Sequence, residues 1–202
     1  MKKRVLLFLL FSVTQLHYSQ KSITMTNSYG SENQEIQNLM DFEKIYTERL
    51  NFASEELKGK HYEVSLEEFK NGKLIRTSSL FDSSDSDYFK IESNSESLSF
   101  FFKLSDGKLK TYIRGKKFGS KKYYFKLYSD SDEYALKDFF GGKKEVTIDF
   151  QKKNAVFGII TPTIHKDGSG SYCEVAQSDI APEKLGEHFN IPHYFIVSIK
   201  FK

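Results

Sequence analysis

The sequence predicts an α+β fold in which an N-terminal amphipathic helix packs on a large, mostly antiparallel sheet with short inserted helices. Three observations favour this class: apolar residues at helical spacing before Gly59, a change to period-two alternation after it, and two Asn/Asp-Gly hairpin signals. The pattern suggests nine or ten strands, so the sheet is expected to curl, split into a sandwich or partly close. Residues 31–202 are assigned to this single domain.

The start of the chain has the pattern of a secretory signal peptide. Residues 2–4 are basic and residues 5–13 are apolar, a run much shorter than the roughly 20 residues that span a bilayer. We predict a signal peptide over residues 1–19, with cleavage after Ser19, followed by a polar leader over residues 20–30. The single cysteine, Cys173, does not lie at the cleavage site, so the expected product is periplasmic or secreted and is not a lipoprotein.

A long helix is predicted directly after the leader. Residues 31–34, Ser-Glu-Asn-Gln, have the form of a capping box, and Gly59 supplies a stop signal. Between them a stripe of apolar residues recurs at helical spacing, formed by Leu39, Phe42, Ile45, Tyr46, Leu50, Ala53 and Leu57. This stripe is expected to pack on the sheet.

Beyond the helix, alternation and turn residues predict strands. Asn71-Gly72 and Asp106-Gly107 each join two alternating runs, which is the pattern of a β-hairpin. A strand with Cys173 is predicted around residues 171–177, where the thiol is expected to be buried and structural. The chain is expected to close with a short helix at 182–189 and a long strand from His193.

Charge and pattern argue against nucleic-acid binding. The chain carries 30 Lys+Arg and 27 Asp+Glu, and removal of the three basic residues at positions 2–4 leaves 27 of each. Nucleic-acid binders normally carry an excess of basic residues. Residues 181–195, APEKLGEHFNIPHYF, resemble a helix-turn-helix, but the alternation of His193, Phe195 and Val197 predicts a strand where a recognition helix would be needed.

A stripe of lysines and tyrosines is the strongest candidate for a binding surface. If the strands around residues 108–114 and 121–128 pair, their outward faces form a cationic, aromatic surface. We call this surface the Lys/Tyr face, and its predicted residues are Lys110, Tyr112, Arg114, Lys122, Tyr124, Lys126 and Tyr128. Such a surface suits an anionic polymer, a glycan or an acidic protein. The alternative is an ordinary solvent-exposed strand face.

Catalytic and metal-binding motifs are not apparent. HExxH and GxSxG are absent, and the histidines are scattered. The acidic loops at 81–87 and 129–133 have alternate carboxylates but lack the EF-hand pattern, so polar turns explain them better than calcium. No cofactor or metal is expected.

The sequence therefore favours an exported, non-enzymatic binding protein of the bacterial envelope that recognises a protein or an anionic polymer. A narrower version is an immunity-type protein that neutralises a periplasmic toxin. The alternatives are a small envelope hydrolase with a site assembled around His61 or His193, and a structural envelope component. For the hydrolase, a deep pocket that joins a histidine to a carboxylate or hydroxyl would be needed.

Overall fold

The structure, a computed structural model, consists of two antiparallel sheets that face each other, and it describes residues 22–172, 174, 175, 178 and 180–202. The strands, in chain order, are β1 (Ser22–Tyr29), β2 (Ile45–Ala53), β3 (Tyr62–Lys70), β4 (Lys73–Asp82), β5 (Ser95–Ser105), β6 (Lys108–Arg114), β7 (Tyr123–Lys126), β8 (Ala135–Asp138), β9 (Glu145–Asp149), β10 (Asn154–Ile160), β11 (Thr163–Ile164), β12 (Gly170–Ser171) and β13 (His193–Phe201). The larger sheet has the order β7-β6-β5-β2-β1-β9, and the smaller has the order β4-β3-β13-β10-β8. Strands β11 and β12 form a separate short ribbon.

The core lies between the inner faces of the two sheets. Aromatic rings join the sheets directly: the centroid of Phe52 in β2 lies 5.3 Å from that of Phe201 in β13, and Phe100 in β5 lies 5.2 Å from Phe157 in β10. Both contacts are edge-to-face, the geometry that aromatic pairs favour. Apolar residues from strands of both sheets belong to one continuous buried cluster. The predicted antiparallel sheet is therefore confirmed, and it takes the form of a sandwich.

Both predicted hairpins are present. Asn71 and Gly72 join β3 to β4, and Asp106 and Gly107 join β5 to β6. All four residues have φ between +50° and +72°, which is the conformation of a two-residue type I′ turn. These turns fix the register of their strands, because the alternating apolar residues then reach the inner face.

The predicted N-terminal amphipathic helix is wrong, and with it the α+β class. Only two short α-helices lie entirely within the described residues, α1 (Gln34–Phe42) and α2 (Leu185–His188). The side chain of Asn33 caps α1 by accepting hydrogen bonds from the amides of Glu35 and Ile36. The helix cannot continue past Lys44, whose φ of 52° is left-handed. The chain then enters β2, and the fold is mostly β.

A buried carboxyl group explains why the helical pattern was misleading. In β2 the residues on the inner face are Glu48, Leu50 and Phe52, all buried, which is an alternation of period two. Glu48 is an acidic residue at an inward position, so the sequence of β2 does not show an unbroken apolar alternation. The apolar residues from Leu39 to Leu57 happen to recur at helical spacing, and this spacing suggested a helix. Leu39 and Phe42, predicted to pack on the sheet, are 59% and 84% exposed.

The part of the predicted polar leader that the structure describes is strand β1. Ile23 and Met25 alternate with polar residues there and are fully buried in the core. The predicted signal peptide and Cys173 lie outside the described residues. Near Cys173, Glu174 and Val175 are helical and not extended, so the predicted strand does not continue through them.

Two further local predictions differ from the structure. At residues 88–93 the short run Tyr-Phe-Lys-Ile-Glu-Ser predicts a strand, but the chain there begins in the 3₁₀ turn Asp87–Phe89. At residues 129–142 a polar, capping start and a Gly-Gly stop predict a short helix, but the chain there forms the 3₁₀ turn Ser131–Glu133 followed by β8. In both places serine and aspartate side chains cap the turn, as when Asp130 accepts a hydrogen bond from the amide of Asp132.

The C-terminal segment agrees with the sequence prediction. The 3₁₀ turn Pro182–Lys184 and α2 precede Asn190, which has a φ of +54°, and the chain then enters β13. Leu185 and Ile191 cover the outer face of the smaller sheet and form a second core with Tyr194 and Ile196. Strand β13 is therefore buried on both faces. Among the described residues, no helix has both the length and the apolar character that crossing a membrane requires.

Replacement of Phe157 tests the sandwich core. Its ring contacts both Phe100 and Phe102 across the sheets, so Phe157→Ala should lower the free energy of unfolding by about 3–5 kcal/mol. The matched control is Phe42→Ala, which removes an exposed ring from α1 and should change stability by less than about 0.5 kcal/mol. Urea denaturation of both variants measures the difference. Equal losses would contradict the two-sheet core.

Candidate functional site

Strands β6 and β7 pair as the Lys/Tyr face requires. Lys110 lies directly opposite Tyr124, and Lys108 lies opposite Lys126. Residues that face each other across an antiparallel pair point to the same side of the sheet. Leu109, between the two lysines, and Phe125, beside Tyr124, point into the core. Lys108, Lys110, Tyr124 and Lys126 therefore share the outer face of the larger sheet. The ammonium group of Lys110 lies 5.8 Å from the centroid of the Tyr124 ring.

The outer face continues onto β5. Lys103 lies opposite Lys110, and Phe101 lies opposite Tyr112, with ring centroids 5.7 Å apart. Arg114 is exposed and lies opposite Ser99. Cationic and aromatic side chains therefore occur in neighbouring rows across three strands. Such a surface offers rings for stacking and cationic groups for hydrogen bonds and attraction.

Tyr112 is held in place by the connection between β6 and β7. A Cβ atom added at Gly119 would lie 2.2 Å from the hydroxyl oxygen of Tyr112, so only glycine permits this approach. The same connection pairs Gly119 with Arg114 through an isolated β-bridge. The turn therefore limits the motion of Tyr112 at one border of the face. An ordered ring loses less conformational entropy when a partner binds.

The positive charge of this face is poorly compensated. Lys103 forms an ion pair with Glu43. Within the described parts of the chain, Lys110, Arg114 and Lys126 form no ion pair with a carboxylate. A local excess of positive charge therefore exists on a chain whose total charge after the predicted cleavage is balanced. An anionic partner would be attracted to this area.

The structure brings together five of the seven predicted residues of the Lys/Tyr face. These five are Lys110, Tyr112, Arg114, Tyr124 and Lys126. Lys122 is exposed and directly precedes β7. Tyr128 lies beyond the end of β7, and its ring centroid is 5.6 Å from the ammonium group of Lys126. Its ring packs edge-on against His193, 4.8 Å away, at the end of the space between the sheets.

Sequence reasoning missed three residues that extend the face. Phe101 and Lys103 lie on β5, and Arg49 lies on β2, where it is exposed and contacts Ser99. The signal for β5 was available in the sequence, because Leu98, Phe100 and Phe102 alternate as one apolar face. The residues between them must therefore point outward. Arg49 could not be placed in this way, since its segment was predicted as a helix.

A surface depression borders the face where α1 crosses the sheet. It has a volume of about 640 Å³, and its lining includes Ile36 of α1, together with Arg49, Ser99 and Phe101 of the sheet. Ile36 is half-exposed there. The helix therefore forms one wall of a groove whose floor continues the cationic, aromatic surface.

His193, one residue of the hydrolase alternative, belongs to a buried hydrogen-bonded chain. Its Nδ1 lies 2.6 Å from the hydroxyl of Tyr134, and its Nε2 lies 3.1 Å from Oε1 of Glu68, which is also paired with Arg76. Burial lowers the pKa of His193, and Glu68 partly opposes this effect. His193, Tyr134 and Glu68 are each at most 2% exposed, so a substrate could not reach them without opening the core.

His61 contacts both a hydroxyl and a carboxylate, but the geometry is structural. Its Nδ1 lies 3.2 Å from Oγ of Ser83, and its Nε2 lies 3.7 Å from Asp87. A catalytic serine must reach a substrate, whereas Ser83 is fully buried and its oxygen accepts a hydrogen bond from the amide of Tyr62 at 2.7 Å. Neither histidine therefore presents an accessible nucleophile.

The two acidic loops use their carboxylates locally. Asp82 accepts a hydrogen bond from the amide of Ser84 and pairs with Lys202. In the second loop, Asp132 pairs with Lys44. Over the described part of the chain, no group of three or more histidine, cysteine or acidic residues is arranged to hold a metal ion. Turn capping and ion pairing account for these loops.

The buried histidine should make stability depend on pH. Because the pKa of His193 is lowered in the folded state, the unfolded chain binds an extra proton as the pH falls below about 6.5, and stability is lost there. In His193→Gln this loss of stability at low pH should disappear. The measurement is the urea midpoint between pH 5 and 8. His188→Gln, at an exposed position, should keep the wild-type pH profile, and the proposed burial effect fails if both variants share one profile.

Comparisons with known proteins place the chain in no family. No model of a protein family, no curated protein and no solved structure matches it. A function must therefore be argued from the geometry of the outer face and the chemistry of its side chains.

Proposed function

We propose that this protein is an exported, non-enzymatic binding protein that recognises an acidic or anionic macromolecule through the Lys/Tyr face. The observation that carries the proposal is the register of β6 and β7, which puts Lys110 against Tyr124 and leaves Lys110, Arg114 and Lys126 without acidic partners among the described residues. A natural face kept only for solubility would more commonly mix charges of both signs.

The shape of the surface favours a large partner. The face spans β5, β6 and β7 of an antiparallel sheet, and the groove beside α1 extends it toward Arg49. A small ligand is usually held in a concave site that covers most of its surface. A flat, cationic and aromatic face instead suits an extended polymer or the acidic surface of another protein.

A narrower version of the proposal is an immunity-type protein that neutralises a toxin delivered to the periplasm. It would use the same face to cover an acidic surface of the toxin. The signal-peptide pattern at residues 1–19 and the accessible face support it. A toxin gene beside the gene for this chain would favour this version, whereas unrelated neighbouring genes would weaken it.

The central test combines Lys110→Ser, Arg114→Ser and Lys126→Ser in one variant. Because exposed charge pairs contribute about 0.2–1 kcal/mol each, losing three should weaken binding on the order of tenfold. Binding is measured by biolayer interferometry with immobilised poly-L-glutamate and, separately, dextran sulfate. The affinity of the wild type should also fall as salt is raised, because salt screens exposed charges.

The matched control removes three exposed lysines elsewhere, as Lys58→Ser, Lys143→Ser and Lys166→Ser. It changes the net charge by the same amount and should bind like the wild type. A pull-down from envelope extract with all three proteins then identifies the natural partner, which should be lost only with the face variant. If the control loses binding equally, net charge is responsible and the face is not a specific site.

A further inference from the structure

A second, separate polar site lies at the other side of the sandwich, between the two sheets. Glu48 of β2 and Asn27 of β1 belong to the larger sheet, and Asp138 of β8 belongs to the smaller one. Asp138 lies opposite Phe157, an inner-face residue, so its side chain is directed between the sheets. The Nδ2 atom of Asn27 donates a hydrogen bond to Oδ2 of Asp138 at 3.4 Å, and the same carboxamide is hydrogen-bonded to Glu48.

One oxygen of Glu48 has no partner. The residue is 5% exposed, and its Oε2 atom is fully buried without a hydrogen bond. A buried carboxyl oxygen left unpaired is costly, so such an atom calls for an explanation. Its surroundings add a second carboxyl group, that of Asp138. Neither Glu48 nor Asp138 forms an ion pair with any residue that the structure describes.

Glu48 lines a cavity that opens to the surface. The cavity has a volume of about 370 Å³, and its lining consists of Tyr29, Tyr46, Glu48, Leu136, Lys137, Asp138, Gly141 and Gly142. Gly141 and Gly142 have φ of +59° and +75°, and a Cβ atom added at either one would meet nothing within 4 Å. These two glycines therefore border open space.

We propose that this cavity binds a hard divalent cation, Ca²⁺, through the carboxylates of Glu48 and Asp138. The unpartnered Oε2 atom supplies an oxygen that is already buried and free to coordinate. Asp138 supplies the second negative charge, and the carboxamide of Asn27 joins the two groups. Bound calcium would link β2 of one sheet to β8 of the other.

The chemistry of the lining selects the kind of ion. Its potential ligands are carboxylate, phenol and main-chain oxygens, and no histidine or cysteine lines the cavity. Oxygen ligands in a partly open site suit Ca²⁺, which accepts irregular geometry, better than Zn²⁺ or the strictly octahedral Mg²⁺. With only two carboxylates, the dissociation constant for Ca²⁺ should be about 10⁻⁴–10⁻³ M, the range of extracellular calcium modules.

The surroundings of Glu48 agree with a missing positive charge. Lys137 also lines the cavity, but its ammonium group pairs with neither carboxylate. The lining therefore holds two acidic side chains and one basic side chain.

Three measurements on the chain without its predicted signal peptide test the proposal. Isothermal titration with CaCl₂ should show binding at one site, and thermal unfolding should shift to higher temperature with Ca²⁺ more than with equal Mg²⁺. Tb³⁺, a luminescent substitute for Ca²⁺, should be sensitised by the nearby Tyr29 and Tyr46, since the chain has no tryptophan. No binding of CaCl₂ up to about 10 mM, well above the expected range, would overturn the proposal.

Single-atom variants assign the site. Glu48→Gln and Asp138→Asn keep the side-chain shapes and remove one charge each, so either should weaken Ca²⁺ binding by about tenfold or more while circular dichroism stays unchanged. Asp132→Asn is the control for the exposed acidic loop at 129–133 and should bind Ca²⁺ like the wild type. If only Asp132→Asn loses binding, calcium belongs to that loop and the cavity is not the site. None of these results depends on the Lys/Tyr face.

Discussion

The rings that meet between the two sheets are the contacts on which the other features depend. Phe157 lies against two phenylalanines of the opposite sheet, and Phe52 lies against Phe201. Because these side chains occupy the inner faces, alternate residues of the same strands must point outward. The cationic surface on β6 and β7 is thus a direct geometric consequence of the packing of Leu109, Ile113 and Phe125 into the core.

The parts of the fold that follow from local rules could be predicted from the sequence. The Asn-Gly and Asp-Gly turns specify their own backbone conformation, and the alternation beside them specifies which side is buried. The segment around Glu48 could not be predicted in this way. Its side chain is buried by partners that are distant in sequence, Asn27 and Asp138, and a local pattern contains no information about such partners.

The same distinction applies to the candidate site. Lys110 and Tyr124 could be placed on one surface because their strands are neighbours in sequence and their alternation is regular. Tyr128 could not, since it lies beyond the end of β7, where the alternation no longer applies, and its ring turns to His193. Arg49 reaches the surface through the pairing of β2 with β5, which joins residues about fifty positions apart.

The position of β13 determines when the smaller sheet can be completed during synthesis of the chain. This strand lies at the centre of the smaller sheet, between β3 and β10, and it is covered on both faces. Strand β3, residues 62–70, can therefore pair with its central neighbour only after residues 193–201 of β13 have been synthesised. A chain made from its N-terminus remains without a closed core until nearly all of it has been synthesised.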